Sequence, residues 1–304
     1  MKRIGRLPEG TVGRSDTFRR HVSCLGMVAL FGAAMMGGAG PASAAGFDSA
    51  ADPVYADGIL DVNGGSGFGA WQLNPVENSE DQGVVLGDSN TNGDAGGPGI
   101  NTDDLAFGLY ARNGMVTEAI RPFASPLAIG QSFSISFDNG WVEGDDSAQG
   151  VVLEDVDGVG RATFVIRAGS STYLIEDGDG VLDTGIGFTD GGLDLTFLIT
   201  SQDTYDLTVH ALAEDFITVF EGRVLGGNPD APMVAVRAFN ANNFEEGSPG
   251  RDLFINNLEL GCPDASECGI TIAEGSDFVT PGSQNVFAGP ENSEEFRWTL
   301  ESNS

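Results

Sequence analysis

The sequence predicts an all-β protein in which two antiparallel sheets pack face to face, and three observations support this prediction. Apolar residues alternate with polar ones along most of the chain after residue 45, as expected for strands with one buried face. No long segment shows the 3.6-residue periodicity of an amphipathic helix. Glycine accounts for 45 of the 304 residues, which suits a fold with many tight turns between short strands.

The clearest strand signals lie in the middle of the chain. Apolar residues alternate with polar ones over 133–137, 193–199 and 205–211. Clusters of Asp, Asn and Gly at 138–140 and at 190–192 predict turns. About ten to thirteen short strands in roughly 210 residues favour a two-sheet sandwich, because it buries one face of every strand. Seven further segments have strand character: 107–112, 150–154, 162–168, 172–176, 216–223, 233–239 and 252–260.

The N-terminal segment has the layout of a signal peptide. Six basic residues precede an apolar run from Cys24 to Met36, and small residues including Ala42-Ser43-Ala44 follow. We therefore expect cleavage after Ala44 and a mature protein that is secreted or held at the surface of a bacterial cell. The run of about 13 apolar residues is too short for a permanent membrane span. Arg19-Arg20 leaves the Sec and twin-arginine export routes both open.

Removal of residues 1–44 leaves a strongly acidic chain. It contains eight arginines, no lysine and 43 carboxylates, for a net charge near −35. Such a field repels nucleic acids and anionic membranes, so neither is expected as a partner. The acidity has two interpretations, since it keeps a protein soluble in a salty medium and can also hold divalent cations.

Residues 262–304 differ in composition from the predicted sandwich at 47–261. Cys262 and Cys268 are the two cysteines left after export, and we expect a disulfide between them in an oxidising compartment. A loop this short would stabilise the fold by about 2 kcal/mol. The segment beyond it is rich in Gly, Ser, Glu, Asn and Pro and predicts a polar tail. It contains no 18-residue apolar stretch, so we expect no membrane insertion there.

Five parts of the sequence resemble the concanavalin A-like lectin and glucanase family. The resemblance implies a jelly-roll sandwich of the kind found in exported bacterial surface proteins. Because this fold carries lectins, hydrolases, lyases and inert scaffolds alike, it implies glycan binding as only one of several functions. The runs that carry the resemblance are Gly64–Trp71, Ile100–Thr102 with Phe107–Ala111, Phe137–Trp141, Gly185–Gly192 and Asp252–Leu258.

The segment after residue 87 is a candidate calcium site. Asp88, Asn90 and Asn92 match the first half of the calcium-loop pattern D-x-[DN]-x-[DN]-G, in which alternating oxygens converge on the ion. Gly99 stands where the pattern requires a bidentate Glu. A polar turn closed by the Asp88 side chain explains the same residues, so both interpretations stay open.

A second candidate calcium site lies at 177–183. Asp177, Asp179 and Asp183 have the spacing of calcium-bound repeats, although the pattern occurs once. A hairpin turn whose glycines adopt positive φ explains the same residues. Ca²⁺ is therefore a candidate cofactor at both places, and no other cofactor is expected.

Aromatic residues offer a candidate sugar site. A ring face covers the apolar face of a pyranose, while amide and carboxylate groups bind the hydroxyls. Trp141, directly after Asp138 and Asn139, is the best candidate, and Trp71 and Tyr110 are further ones. The alternative is that these rings close the core of the sandwich.

Catalytic signatures are weak. His210 is the only histidine of the mature chain, which argues against zinc chemistry and Ser-His-Asp catalysis. Glycoside hydrolysis needs two suitably spaced carboxylates, and the nearest pair, Glu154 and Asp157, is expected to point to opposite faces of a strand. Asp194 and Asp206 are expected on a solvated sheet face.

Three function classes follow, and none has an assigned catalytic residue. The leading hypothesis is a non-catalytic extracellular module, lectin-like, that binds a polysaccharide or a component of the cell surface or matrix. The second is a structural or adhesive surface protein without a small ligand. The third is a carboxylate-based polysaccharide hydrolase or lyase.

Overall fold

The computed structural model describes residues 46–60, 62–93, 99–189, 191–242, 244 and 249–261. The predicted signal peptide and the Cys262–Cys268 segment lie outside these residues, so export and the disulfide stay predictions. No helix in the described ranges is long and apolar enough to cross a membrane.

The described residues form strands joined by turns and three short 3₁₀ helices. The helices are Pro53–Tyr55, Ser89–Asn92 and Pro249–Arg251. The strands are β1 (Gly46–Asp48), β2 (Gln72–Asn74), β3 (Gln82–Gly87), β4 (Ala106–Ala111), β5 (Met115–Pro122), β6 (Ser132–Asn139), β7 (Ala148–Asp155), β8 (Gly160–Arg167), β9 (Thr172–Asp177), β10 (Gly180–Gly187), β11 (Leu193–Ile199), β12 (Thr204–Ala211), β13 (Phe216–Val224), β14 (Met233–Asn242) and β15 (Leu253–Gly261).

The strands form two sheets, and within each sheet neighbouring strands pair in the antiparallel direction. Sheet 1 has the order β13-β12-β11-β6-β15-β4-β3, and β1 pairs with the C-terminal half of β15. Sheet 2 has the order β10-β9-β8-β7-β14-β5-β2. The predicted two-sheet antiparallel sandwich is confirmed.

The core lies between the two sheets and is rich in aromatic rings. Phe137 of sheet 1 contacts Phe164 and Tyr173 of sheet 2 edge to face, with ring centroids 5.9 and 6.3 Å apart. Phe197 and Tyr205 stack within sheet 1 at 6.0 Å. The contacts of Phe137 join the two sheets. All these rings lie at positions that alternate with other residues along their strands, as the two-residue period of a half-buried strand requires.

The strands with clear alternation of apolar and polar residues were predicted from the sequence, whereas some strands without it were missed. All seven segments with strand character are strands, with ends that differ by at most three residues. β5 escaped prediction because its inward positions include Thr117 and Arg121, both fully buried, so its sequence does not alternate. The turn expected at 138–140 is wrong, since Asp138 and Asn139 end β6 and are buried.

A buried ion pair anchors the N-terminal segment to sheet 2. Arg121 Nη2 lies 2.8 Å from Asp48 Oδ2, and neither side chain is exposed. The Tyr55 hydroxyl donates to the Asp48 carboxylate and accepts from Trp71 Nε1 at 3.0 Å. Burial raises the pKa of Asp48 and lowers that of Arg121, while their opposite charges act against both shifts. Burial also raises the pKa of Tyr55, to about 12.

Candidate functional site

Trp141 is held at one end of sheet 1 by a close approach of two chain segments. Its backbone N–H donates to Gly250 O at 2.8 Å, and Gly140 N donates to Asp252 O at 2.9 Å. A Cβ on Gly140 would lie 2.6 Å from Gly250 O, so only glycine permits this approach. These two hydrogen bonds therefore fix the backbone at Trp141 against residues 250–252.

The Trp141 side chain forms an exposed aromatic shelf. It is 56% exposed and stacks on Phe188, with centroids 5.3 Å and planes 21° apart. Phe188 covers one part of the indole and leaves the rest open to solvent. A shallow pocket of about 210 Å³ beside it is lined by Trp141, Glu143, Gly250 and Arg251.

Arg251 and Glu143 supply the charges of this pocket. Arg251 Nη2 lies 3.0 Å from Glu143 Oε2, and the guanidinium carbon lies 3.7 Å from the centroid of the Phe244 ring. The backbone carbonyl of Arg251 accepts from Gln149 Nε2 at 2.6 Å. The pair thus presents N–H donors and a carboxylate acceptor next to the open indole.

Asp138 and Asn139 lie beneath the shelf and are both buried. Asn139 Oδ1 accepts from the Tyr173 hydroxyl at 2.7 Å, and Asp138 Oδ1 accepts from Asn92 Nδ2 at 2.9 Å. The structure therefore brings these two predicted site residues next to Trp141. They position the strand end rather than line the pocket.

Trp71 and Tyr110, the other aromatic candidates, close the core or its edge. The Trp71 ring lies 5.3 Å from that of Phe107, and the Arg121 guanidinium stacks over it at 4.8 Å. The Tyr110 hydroxyl donates to Ser79 O at 2.7 Å, and burial raises the pKa of Tyr110. Neither ring offers the open face that Trp141 has.

The segment at 88–92 adopts the polar turn rather than an extended calcium loop. Asp88 Oδ1 accepts from Asn90 N at 3.0 Å and from Asn101 Nδ2 at 2.6 Å, and so caps the 3₁₀ helix at Ser89–Asn92. The Oδ1 atoms of Asn90 and Asn92 are buried, and no residue in the described part of the chain donates a hydrogen bond to them. Calcium at this loop stays a prediction.

The segment at 177–183 is the expected hairpin turn, and its first carboxylate already binds an arginine. Arg223 Nη2 and Nε lie 2.7 and 3.0 Å from Asp177 Oδ1 and Oδ2, and the Tyr205 hydroxyl donates to Asp177 at 2.8 Å. Asp179 lies 3.6 Å from Arg223, while Asp183 accepts from Gly185 N. Calcium there, also still a prediction, would have to displace Arg223. Within the described ranges, no three His, Cys, Asp or Glu side chains are arranged to hold a metal ion.

A charged group on the outer face of sheet 2 was not predicted from the sequence. Arg237 of β14 is hydrogen-bonded to Glu118 of β5, at 2.7 Å, and to Glu154 of β7. Asn74 Nδ2 donates to Glu118 Oε2 at 3.2 Å. Burial alone would lower the pKa of Arg237, but bonds to the two glutamates outweigh it and raise that pKa.

This group is poorly suited to glycoside hydrolysis. That reaction needs one carboxyl group to carry a proton and the other to be ionised. Here one cation lies between Glu118 and Glu154 and is paired with both. Glu154 and Asp157 were expected on opposite faces of one strand, but Asp157 lies in the turn after β7 and not in the strand.

Comparisons with known proteins show a likeness of fold. No family model matches the chain, and no curated protein matches its sequence. Similar solved structures include a protein of unknown function from Shewanella oneidensis MR-1, with TM-score 0.42, 8% identity, and 77% of this chain and 91% of that chain covered. Another is the catalytic domain of a glycoside hydrolase family 131 protein from Coprinopsis cinerea, with TM-score 0.40, 14% identity, and 59% of this chain and 76% of that chain covered. A third is the carbohydrate recognition domain of Emp46p, with TM-score 0.35, 12% identity, and 62% of this chain and 87% of that chain covered.

These similar structures thus include one catalytic domain and one carbohydrate recognition domain. At these identities the likeness concerns the fold alone. Function is therefore argued below from the residues of this chain.

Sequence patterns near Trp141 could not reveal its partners. Phe188 and Glu143 lie in two separate loops, and Arg251 ends the 3₁₀ helix Pro249–Arg251, far along the chain from the tryptophan. The one available signal was Arg251 itself, because a chain with eight arginines after residue 44 has few cations to place beside an aromatic ring.

Proposed function

We propose that the mature protein is an exported, non-catalytic module that binds a glycan on the Trp141 shelf. The observation that carries the proposal is the open indole of Trp141, which is 56% exposed yet fixed by Phe188 and by its backbone bond to Gly250. A rigid aromatic ring binds without losing much conformational entropy, since few rotamers are given up.

The pocket beside the shelf has the chemistry that a pyranose requires. The indole face covers the apolar C–H face of the sugar ring. Arg251 donates hydrogen bonds and Glu143 accepts them, so the two can bind neighbouring hydroxyls. The close pair of donor and acceptor thus complements the shelf.

The charge of the chain favours a neutral glycan. With a net charge near −35 after residue 44, the protein repels polymers of sugar acids over a distance of about 10 Å at moderate salt. A neutral extracellular polysaccharide meets no such barrier. The predicted signal peptide supports a role outside the cell, where such polymers occur.

The test is glycan binding by the mature protein and by two variants. Neutral polysaccharides are screened on an array, and hits are measured by calorimetry. Trp141→Ala should weaken binding by about tenfold or more, because the stacking face is lost. Ile217→Ala is the matched control, since it removes another exposed apolar side chain, on β13, and should leave affinity unchanged.

Three outcomes separate the hypotheses. Equal loss in Trp141→Ala and Ile217→Ala would show that the shelf is not the site. Absence of any glycan ligand would favour the structural or adhesive alternative. Release of reducing sugar or of unsaturated products would instead identify a hydrolase or lyase, and loss of binding in a chelator would show that calcium takes part.

A further inference from the structure

The two sheets end in four edge strands, and three of them are protected against pairing with another chain. β2 has three residues and is followed directly by Pro75. The free edge of β3 is bonded by Asn78, whose Nδ2 donates to Val84 O at 2.7 Å and whose Oδ1 accepts from Val84 N at 2.8 Å. β10 contains three glycines and a shift of its pairing register between Asp183 and Gly187. Short strands, side-chain caps and bulges all prevent edge-to-edge contact.

The fourth edge strand, β13, has none of these features over its first five residues. Residues 216–220 pair regularly with β12, and no strand in the described part of the chain pairs with their other side. Alternate residues of an antiparallel strand direct both backbone groups toward the same neighbour, so half of these groups point away from β12. The regular stretch ends where the register shifts and Gly222 adopts φ +63°.

The side chains of this stretch are uncharged and mostly apolar. Ile217 and Val219 lie beside the polar residues of β12 on the outer face of sheet 1 and are 65% and 49% exposed. Phe216 is also exposed. No charged residue occurs in 216–220, although the chain after residue 44 has a net charge near −35. A second copy of the protein therefore meets less repulsion along this stretch than a uniformly acidic surface would give.

The order of residues in this stretch is nearly the same in both directions: Phe216-Ile-Thr-Val-Phe220. When two copies pair antiparallel about a two-fold axis at Thr218, Phe216 of one copy lies opposite Phe220 of the other. Ile217 then lies opposite Val219, and Thr218 lies opposite Thr218. Because the side chains of a strand alternate with a period of two, the members of each pair project to the same face. A two-fold contact requires this kind of self-complementarity.

We propose that two copies of this protein join through residues 216–220 of β13 and so extend sheet 1 across a two-fold axis. Backbone hydrogen bonds between the two strands supply affinity, and the side-chain pairs fix the register. The shift at Gly222 keeps the contact short, so we expect association in the micromolar range. The contact shares no residue with the Trp141 pocket, and its test needs no glycan.

Charges at the two ends of the contact make it depend on salt. In this register, Glu221 of one copy comes near Asp215 of the other, and both side chains are exposed. These carboxylates and the overall negative charge of both copies oppose association at low ionic strength. Sodium chloride should therefore strengthen the dimer several-fold, because it screens this repulsion.

The experiment measures dimer formation of the mature protein by sedimentation velocity over a range of protein concentrations. Ile217→Glu should weaken association by about tenfold, because a two-fold contact contains the change twice and each carboxylate lies against Val219. Val219→Arg should weaken it in the same way. Both replaced side chains are exposed, so folding is preserved. Val181→Glu is the matched control, since it adds the same charge at an exposed valine of β10, and it should leave the dimer unchanged.

An equal mixture of Ile217→Glu and Val219→Arg tests the register. In the mixed dimer, the new carboxylate of one copy lies opposite the new guanidinium of the other. The second pair keeps its original Val219 and Ile217. The mixture should therefore dimerise at least as strongly as the wild type, although each variant alone does not.

The proposal is overturned if the protein stays monomeric at every concentration and salt, or if the mixture does not recover association. It is equally overturned if Val181→Glu acts as strongly as Ile217→Glu, because general repulsion would then explain both. Hydrogen exchange gives a second measurement, since the amides of 216–220 should exchange more slowly as the protein concentration rises. Slow exchange of these amides in a monomer would show that another part of the chain covers this edge, and would also overturn the proposal.

Discussion

Trp71 and Trp141 present the same residue type in two opposite settings. Both follow glycine-containing polar runs. Trp71 donates its indole N–H to Tyr55 and stacks under the buried Arg121. Trp141 stacks on Phe188 and leaves more than half of its surface in solvent. The neighbouring sequence is thus a poor guide to whether a tryptophan is part of the core or of a binding surface.

The difference comes from the partner that each ring meets. The Asp48–Arg121 pair draws Tyr55 and Trp71 into one buried hydrogen-bonded network. At the Trp141 end, Arg251 pairs with the half-exposed Glu143 and lies over the Phe244 ring, so its ion pair stays near the surface. We expect the first network to govern stability and the second to govern binding.

The largest effect should come from breaking the buried pair. Arg121→Met leaves the Asp48 carboxyl buried without its cation, and we expect a loss of about 3–5 kcal/mol in the free energy of unfolding. Chemical denaturation followed by tryptophan fluorescence measures it. Arg167→Met breaks a partly exposed pair and should cost less than about 1 kcal/mol. Similar losses in both variants would contradict the distinction.

A smaller loss is expected when Trp71 alone is changed. Trp71→Phe keeps an aromatic ring on Phe107 but removes the hydrogen bond to Tyr55 and weakens the contact with Arg121, for a cost of about 1–2 kcal/mol. Glycan affinity should not change. The same denaturation experiment with Trp141→Ala should show a smaller loss, and the reverse order would mean that the shelf, not Trp71, is the structural tryptophan.

A further effect depends on pH and concerns Asp252, whose carbonyl binds the shelf backbone at Gly140. Burial raises the pKa of Asp252 to about 7, although the charge of Arg112 acts in the opposite direction. The folded state therefore holds a proton that the unfolded state has lost above about pH 4. Stability from this group is complete below pH 4 and is lost as the pH rises through 7.

Replacement of Asp252 by Asn removes this titration. The stability of Asp252→Asn relative to the wild type should rise between about pH 4 and 7 and level off above. Melting temperatures across pH 3.5–8.5, taken in steps of about half a unit, would show it. Asp157→Asn is the control, because that residue is exposed in the turn after β7. A difference independent of pH would show that burial does not perturb Asp252.

Whether a strand could be predicted depended on whether its apolar and polar residues alternate. β11 and β12 alternate polar and apolar residues, and their buried positions are apolar, whereas β6 alternates at its start and also buries Ser136, Asp138 and Asn139 toward its end. β5 turns Thr117 and Arg121 inward, so its alternation is lost, although the fold still pairs it with β14 and β2. For the candidate site, sequence reasoning identified Trp141 but missed Phe188 and Arg251, the residues that hold the ring and charge the pocket.

By itself, the sequence determined the all-β class and most of the strands, because hydrophobic period and turn-forming glycines are local properties of the chain. Tertiary structure alone decided which charges are neutralised and which rings are open. Arg237 meets Glu118 across 119 residues and Glu154 across 83, and Arg121 finds Asp48 in a strand of the other sheet. Such pairings depend on how the sheets are ordered and packed, which no local pattern encodes, so the identity of the exposed tryptophan emerged only in the folded chain.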